Sequence, residues 1–187
     1  MKTIYFITSN KGKLVEFQQM LSTIDVKVVQ KNLGYPEIQA DKLEDVACYG
    51  AEYLQNKLNQ PFILEDAGLF IKILNGFPGV YSSYVFRTIG CKGILNILED
   101  KQKDERKAVF RSAVSYKKQD KPSIIFVGEC HGSISKQESG THGFGYDPIF
   151  IPDGETRTFA QMEVKEKNIY SHRGKSLKKL IDFFKNE

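Results

Sequence analysis

Short β-forming runs alternate along the chain with apolar stripes at helical spacing, and this alternation constrains the fold more than any other feature. Residues 4–8 are rich in β-forming side chains and end in residues that cap helices well. Leu14, Phe17 and Leu21 then recur at helical spacing, and residues 26–30 predict a second short strand. A strand that leads directly into a helix and then into another strand is typical of α/β proteins.

The rest of the chain continues this alternation and adds a hairpin. Apolar residues between positions 43 and 58 trace one face of a helix about four turns long, which Pro61 closes. Residues 62–64 predict a short buried strand, and residues 108–116 and 124–134 predict two long strands joined by a turn. We therefore expect an α/β fold with a mixed sheet.

Length, charge and cysteine content limit the protein class. The chain has 187 residues, which predicts a single domain over residues 1–187. It has no run of about 18 apolar residues, so we expect no membrane span. The three widely spaced cysteines predict reduced thiols in a cytoplasmic protein. A net charge of +4 favours a polyanionic ligand, but only weakly.

Capping and basic residues cluster where the first predicted strand gives way to the first helix. The cluster consists of Thr8, Ser9, Asn10, Lys11, Gly12 and Lys13. Backbone N–H groups at a helix start point outward, and with two lysines nearby they favour phosphate binding. The same residues also fit a plain helix cap with solvated lysines, so the pattern alone leaves both interpretations open.

Two acidic segments are candidates for metal and acid–base chemistry. Glu65 and Asp66 follow the short strand at residues 62–64, and carboxylates at such a strand end face the crevice where α/β sheets bind ligands. Because side chains alternate along a strand, only one of the pair should face the site. Glu37 lies in a predicted turn, and Mg²⁺ usually takes only one or two protein carboxylates. Taken alone, each acid also fits a solvated surface charge, since acidic residues are mostly exposed.

A glycine- and aromatic-rich loop and the start of the last helix are candidates for base binding. Phe144 and Tyr146 alternate with glycines and could stack on a purine, while Asp147 could accept hydrogen bonds from ring N–H groups. The alternative is a turn whose aromatic rings pack into the core. His172 and Arg173 supply several donors, although the same residues could simply begin the helix.

Together these segments resemble one family, the inosine triphosphate pyrophosphatases, which hydrolyse non-standard purine nucleoside triphosphates. The resemblance covers the whole chain and rests on five motifs that occur in the family's order. They are Thr8-Ser9-Asn10-Lys11-Gly12-Lys13, Glu65-Asp66-Ala67-Gly68-Leu69 followed by Asn75-Gly76-Phe77-Pro78-Gly79, Phe144-Gly145-Tyr146-Asp147-Pro148-Ile149-Phe150, Glu166-Lys167-Asn168, and Ser171-His172-Arg173.

The resemblance implies an elongated mixed sheet flanked by helices, with a nucleotide cleft between two lobes. It also implies a homodimer and Mg²⁺ as the cofactor. By resemblance, Asp66 is the catalytic proton acceptor and a metal ligand, and Glu37 is the second acidic group near the metal. The residues that it places at the substrate are Thr8, Ser9, Asn10, Lys11, Gly12, Lys13, Ala67, Phe144, Gly145, Tyr146, Asp147, Lys167, His172 and Arg173.

The chain departs from the family pattern at two positions. The residue after the catalytic acid is usually Ser or Thr, and here it is Ala67, which removes a hydroxyl contact to the substrate. A lysine that many relatives carry shortly after the Pro-Gly turn is replaced by Ser83. Phosphate binding would then depend more on Lys11 and Lys13.

The resemblance implies Mg²⁺-dependent hydrolysis of ITP, dITP and XTP to the monophosphate and pyrophosphate, which cleanses the nucleotide pool. Two alternatives remain open from the sequence. One is a related pyrophosphatase acting on modified pyrimidine nucleotides. The other is a basic nucleic-acid-binding module, although the lysines are scattered and we expect neither a nucleic acid nor a membrane as partner.

Overall fold

The computed structural model describes residues 2–186 and contains one six-stranded sheet flanked by helices. The strands are β1 (Lys2–Ile7), β2 (Val26–Lys31), β3 (Phe62–Ile71), β4 (Lys107–Lys117), β5 (Ile124–Ile134) and β6 (Phe150–Pro152). The helices are α1 (Lys11–Leu21), α2 (Leu43–Leu54), α3 (Ser82–Ile97), α4 (Val164–Tyr170) and α5 (His172–Asn186). Helix α3 contains a kink at Gly90, whose φ of 63° is not helical.

The strand order is β2-β1-β3-β4-β5-β6, and the sheet is mixed. β1 pairs in parallel with β2 and with β3, as strands joined by crossover helices do. β3, β4, β5 and β6 pair antiparallel in turn. The predicted α/β fold with a mixed sheet and a late antiparallel hairpin is therefore confirmed.

The prediction that β3 ends before the acidic pair is wrong. β3 is ten residues long and continues to Ile71, so Glu65 and Asp66 lie inside it. The reason is its partner on the other side, because β4 pairs with β3 along its whole length. β1 pairs only with residues 62–64 and ends at Ile7. The acidic pair therefore begins where the parallel neighbour stops, and this is where a crevice opens.

Three apolar clusters cover the sheet and separate the fold into two lobes. Ile63 packs with Phe17 of α1 and Leu177 of α5, whereas its neighbour Leu64 packs with Ala47 of α2. Since side chains alternate along a strand, α1 and α5 cover one face and α2 covers the other. A third cluster, containing Phe110, packs α3 against the far halves of β3, β4 and β5 and forms the second lobe.

Within residues 2–186, every helix is too short or too polar to cross a membrane.

Candidate active site

A cavity of about 440 Å³ lies beyond the end of β1, between the two lobes. All of the site residues predicted from the sequence line it except Lys11 and Gly12. The structure thus brings together the end of β1, the start of α1, the middle of β3, residues 144–147 and the start of α5. The cavity lining also includes Ser83.

The start of α1 is built around Asn10. Its side-chain oxygen accepts a hydrogen bond from the backbone N–H of Lys13 at 3.0 Å, so Asn10 is the helix cap. The Thr8 hydroxyl accepts from the backbone N–H of Asn10 at 3.1 Å and orders the approach to the helix. Lys11 is exposed, and neither Lys11 nor Gly12 is part of the cavity lining.

Lys13 is the lysine of this motif that reaches the cavity. Its ammonium group donates to the backbone carbonyl of Glu65 at 3.0 Å and lies 3.2 Å from a carboxylate oxygen of the same residue. It therefore places a positive charge between α1 and β3, at the entrance to the acidic pair. Its side chain remains 18% exposed, so the charge can also be reached from the cavity.

The two neighbouring acids of β3 have different environments, as alternation predicts. Glu65 is fully buried, and its carboxylate accepts from Arg173 Nε at 2.8 Å and from the Ser112 hydroxyl at 2.7 Å. Burial alone would raise the pKa of Glu65, but Arg173, Lys13 and the Ser112 hydroxyl hold that pKa well below its usual range. Glu65 is thus a permanent anion that holds the site's cations.

Asp66 has the opposite character. Its Oδ2 is buried and has no hydrogen-bond partner among residues 2–186. The pKa of Asp66 is raised to about 7, mainly by burial. Lys13 opposes this shift, and the charges of Glu37 and Glu65 add to it. A general base works best when its pKa lies near the working pH. An unpaired carboxylate with a raised pKa can accept a proton from water, and its buried oxygen is equally open to a cation.

A buried ionic network that sequence reasoning missed underlies the base-binding side of the cavity. Glu16 of α1 accepts from Lys167 Nζ at 2.8 Å and from Arg173 Nη1 at 2.6 Å. Lys167 also donates to Asp147 at 2.6 Å. Burial alone would raise the pKa of Glu16, but Arg173 and Lys167 outweigh it and lower that pKa. In the sequence, the one signal that could have pointed to Glu16 is its position next to Phe17, which belongs to the apolar stripe of the helix.

The two aromatic residues of the base loop have different roles. Phe144 is half-buried, and its ring centroid lies 5.0 Å from Lys167 Nζ and 5.2 Å from Arg173 Cζ. Tyr146 is buried, its hydroxyl donates to the Ser82 carbonyl at 3.2 Å, and it meets Phe86 edge to face. Tyr146 packs into the second lobe. Of the two rings predicted to stack on a purine, Phe144 therefore remains the candidate.

His172 is held as a neutral ring at the start of α5. It stacks on Phe110 with ring centroids 4.6 Å apart and an interplanar angle of 12°. Complete burial and the neighbouring Arg173 charge lower the pKa of His172 well below its usual value. Its Nδ1 is buried without a partner among the described residues and is available to a ligand.

We expect His172 to lower the stability of the protein as the pH falls from about 8 to about 4, while Asp66, whose pKa is raised to about 7, acts in the opposite direction. His172 has a lowered pKa in the folded state, so the unfolded chain takes up an extra proton below about pH 6.5. Glu16 and Glu65 also have lowered pKa values, which removes further stability as the pH falls below about 4.3. Denaturant unfolding across this range checks the expectation.

A pair of histidine variants tests which group is responsible. His172→Gln should make the stability of the protein fall less, or rise more, between about pH 7 and pH 5.5 than in the unsubstituted protein, whereas His131→Gln, at a side chain 63% exposed, should keep the original pH dependence. An unchanged pH dependence in His172→Gln would contradict the assignment.

The residues around Asp66 fit a divalent metal in combination with a substrate. Asp66 offers a buried carboxylate oxygen without a protein partner, and Glu37 on the facing loop is exposed and lines the same cavity. No group of three or more metal-ligating side chains occurs within residues 2–186. Mg²⁺ does not need one, because it commonly binds through one or two carboxylates, water and substrate phosphates.

Comparison with known proteins identifies a family for this chain. The chain matches the model of the Ham1 family over residues 4–183. It is 51% identical to the dITP/XTP pyrophosphatase of Pyrococcus horikoshii, covering 97% of this chain and 96% of that protein. It is 49% identical to the Methanopyrus kandleri protein of the same name, covering 98% and 96% of the two chains.

Solved structures show the same fold. A HAM1 protein from Coxiella burnetii superposes with a TM-score of 0.87 at 28% identity, covering 100% of both chains. The Staphylococcus aureus Ham1 protein gives a TM-score of 0.84 at 28% identity, covering 99% of both chains. With a matching family model, close full-length relatives and a shared fold, the chain belongs to the Ham1 family.

Proposed function

We propose that the protein hydrolyses non-standard purine nucleoside triphosphates (dITP, XTP and ITP) to the monophosphate and pyrophosphate, with Mg²⁺ as cofactor. The observation that carries this proposal is a single cavity that holds both the unpaired Asp66 carboxylate and the buried cations Lys167 and Arg173. One end of the cavity is suited to activating water, and the other offers donors to a base. Relatives named dITP/XTP pyrophosphatase support the substrate class.

The hydrolytic step assigns a role to each group at the phosphate end. Asp66 accepts a proton from water as the water oxygen forms a bond to phosphorus and an anhydride bond breaks to release pyrophosphate. Lys13 and the backbone N–H groups at the start of α1 bind phosphate oxygens. When bound by Asp66 and Glu37, Mg²⁺ supplies positive charge that neutralises the phosphates.

Donors at the other end of the cavity favour 6-oxopurines. Arg173 and Lys167 are cations that can only donate hydrogen bonds. Arg173 directs Nε and Nη1 to carboxylates, and Nη2 makes no hydrogen bond within the described part of the chain. Hypoxanthine and xanthine present an oxygen acceptor at position 6, whereas adenine presents an amino donor. Leaving polar groups unpaired in a buried site gives the strongest discrimination, up to about 10⁴-fold.

We expect Lys13→Ala to raise KM for dITP by about 10- to 100-fold, the size expected for a lost charge-assisted hydrogen bond. Lys13 reaches the cavity, whereas Lys11 is exposed outside its lining. Lys11→Ala is therefore the matched control and should change KM less. Steady-state kinetics with saturating Mg²⁺ measure both values. Equal effects of the two substitutions would show that phosphate binding does not depend on the position of Lys13.

A panel of nucleotides tests the proposed function. We expect pyrophosphate release from dITP, ITP and XTP, with far slower turnover of ATP, GTP and modified pyrimidine triphosphates. Rapid hydrolysis of the pyrimidines would favour the alternative pyrophosphatase. Tight binding of a nucleic acid that weakens steeply with salt, without nucleotide hydrolysis, would favour a nucleic-acid-binding module.

A homodimer remains a prediction that rests on the resemblance, and a cytoplasmic location remains one that rests on the cysteine content. Several large side chains around the start of α3 are exposed, including Tyr84 at 62% and Tyr81 at 47%. Exposed apolar groups of this kind are consistent with a surface that a second copy covers. Light scattering of the purified protein tests the homodimer.

A chelator tests Mg²⁺ as the cofactor. Turnover should be lost when the chelator is added and should recover when Mg²⁺ is restored.

A further inference from the structure

Gly12 does not line the cavity, but it lies against the ring of Phe144, which does. A Cβ atom added to Gly12 would lie 2.3 Å from Cδ1 and 2.7 Å from Cε1 of that ring. Nonbonded carbon atoms normally approach to about 3.5–4.0 Å. Gly12 is part of α1 and does not have a positive φ, so its backbone would accept any L-residue. The ring of Phe144, and not the backbone, therefore requires a glycine at this position.

Phe144 is fixed at its backbone as well as at its ring. Its N–H donates to Asp147 Oδ2 at 2.8 Å, and the same oxygen accepts from Lys167 Nζ. Both neighbours, Gly143 and Gly145, have positive φ values, of 75° and 62°, which limits the loop to a backbone path that larger residues rarely adopt. A methyl group at position 12 would therefore displace the ring while the loop backbone stays anchored.

The displacement would change the geometry of base recognition. Lys167 and Arg173 lie over the ring, 5.0 and 5.2 Å from its centroid, and all three residues line the same slot of the cavity. Stacked rings in proteins prefer centroid separations of about 4.5–7 Å. Moving the ring by the ångström or more that a methyl group requires would shift a stacked base relative to the two donors.

We propose that Gly12 is a positioning residue for base recognition, because its missing side chain lets Phe144 lie against α1 and so fixes the stacking face beside Lys167 and Arg173. This inference rests on the proposed function, which places the base in this slot. It assigns Gly12 to the base through Phe144, whereas the N-terminal motif by itself predicted contact with phosphate.

Binding of two probes separates these roles. IMP carries the base with one phosphate, and inorganic tripolyphosphate with Mg²⁺ carries phosphates without a base. We expect Gly12→Ala to weaken IMP binding by about three- to ten-fold, the size of a lost aromatic stacking contact, and to leave tripolyphosphate affinity within about two-fold. Isothermal titration calorimetry measures both affinities. Val15→Ala, at an exposed position of the same helix, should change neither.

A double-mutant cycle shows whether the effect passes through the ring. In a Phe144→Ala background, Gly12→Ala should change IMP affinity by less than about two-fold, since the contact no longer exists. The double variant can be compared with Phe144→Ala even if Gly12→Ala alone folds poorly. Three results would each overturn the proposal. They are unchanged IMP affinity in Gly12→Ala, an equal loss of affinity for both probes, and a loss of IMP affinity that is as large in the Phe144→Ala background as in the unsubstituted protein. Hydrolysis of dITP by the unsubstituted protein, measured in parallel, tests the proposed function independently.

Discussion

Asp66→Asn should lower kcat for dITP by at least about 100-fold, the lower range for a lost general base, while the fold stays intact. Oδ2 of Asp66 has no hydrogen-bond partner within residues 2–186, so the amide breaks no contact there. The neutral side chain also removes charge repulsion from Glu37 and Glu65. The melting temperature above about pH 7 should therefore stay the same or rise.

Asp45→Asn provides the matched control, because Asp45 is an exposed acid on the first turn of α2. It should leave kcat unchanged. Near-normal turnover of Asp66→Asn at saturating Mg²⁺ would contradict the role of Asp66. A large drop in its melting temperature would instead show that the carboxylate stabilises the fold.

Arg173→Ala should destabilise the protein by about 3–5 kcal/mol, the range for removing one member of a buried ion pair. Arg173 is 2% exposed and bonds both Glu16 and Glu65, which are equally buried. Its loss leaves these two carboxylates with less compensation. Denaturant unfolding at neutral pH measures the change.

Two further variants show whether the cost comes from the buried carboxylates. Arg111→Ala breaks an exposed pair with Glu129, whose side chains are 46% and 37% exposed, and should cost no more than about 1 kcal/mol. Adding Glu16→Gln to Arg173→Ala should recover part of the lost stability by removing a buried charge that Lys167 alone would still compensate. Equal costs for the two arginines, or no recovery in the double variant, would contradict the network.

This double role of Arg173 affects how base selectivity can be measured. The sequence shows an arginine at a helix start, which suggests a donor free to contact the base. In the structure two of its three guanidinium nitrogens are bound to carboxylates. A kinetic comparison of Arg173→Ala on dITP and dATP is therefore informative only at a temperature where the variant remains folded.

Periodicity was sufficient to predict the hairpin and the mixed sheet. The pattern of β4 and β5 is long and strongly apolar, and their observed bounds lie within one residue of the predicted ones. The length of β3 could not be predicted in this way, because residues beyond position 64 become strand only through pairing with β4. Such pairing depends on residues 37 (Ile71 with Ala108) to 49 (Glu65 with Val114) positions away along the chain.

Site residues could be predicted where a motif carries them, and not where only the fold assembles them. Asp66 and Glu37 were predicted by resemblance and line one cavity. Glu16 could not be found, because its partners Lys167 and Arg173 lie about 150 positions away in the sequence. Lys11 illustrates the opposite case, since it belongs to the motif but is exposed outside the cavity lining, and its contact with substrate stays a prediction.

The most direct test of the proposed activity is a competition between dITP and dATP in one reaction with Mg²⁺, followed by ³¹P NMR. The account predicts that dITP is converted to dIMP and pyrophosphate while dATP remains. This result requires both water activation at Asp66 and base selection beside Lys167 and Arg173. Consumption of both nucleotides at similar rates, or release of inorganic phosphate in place of pyrophosphate, would contradict it.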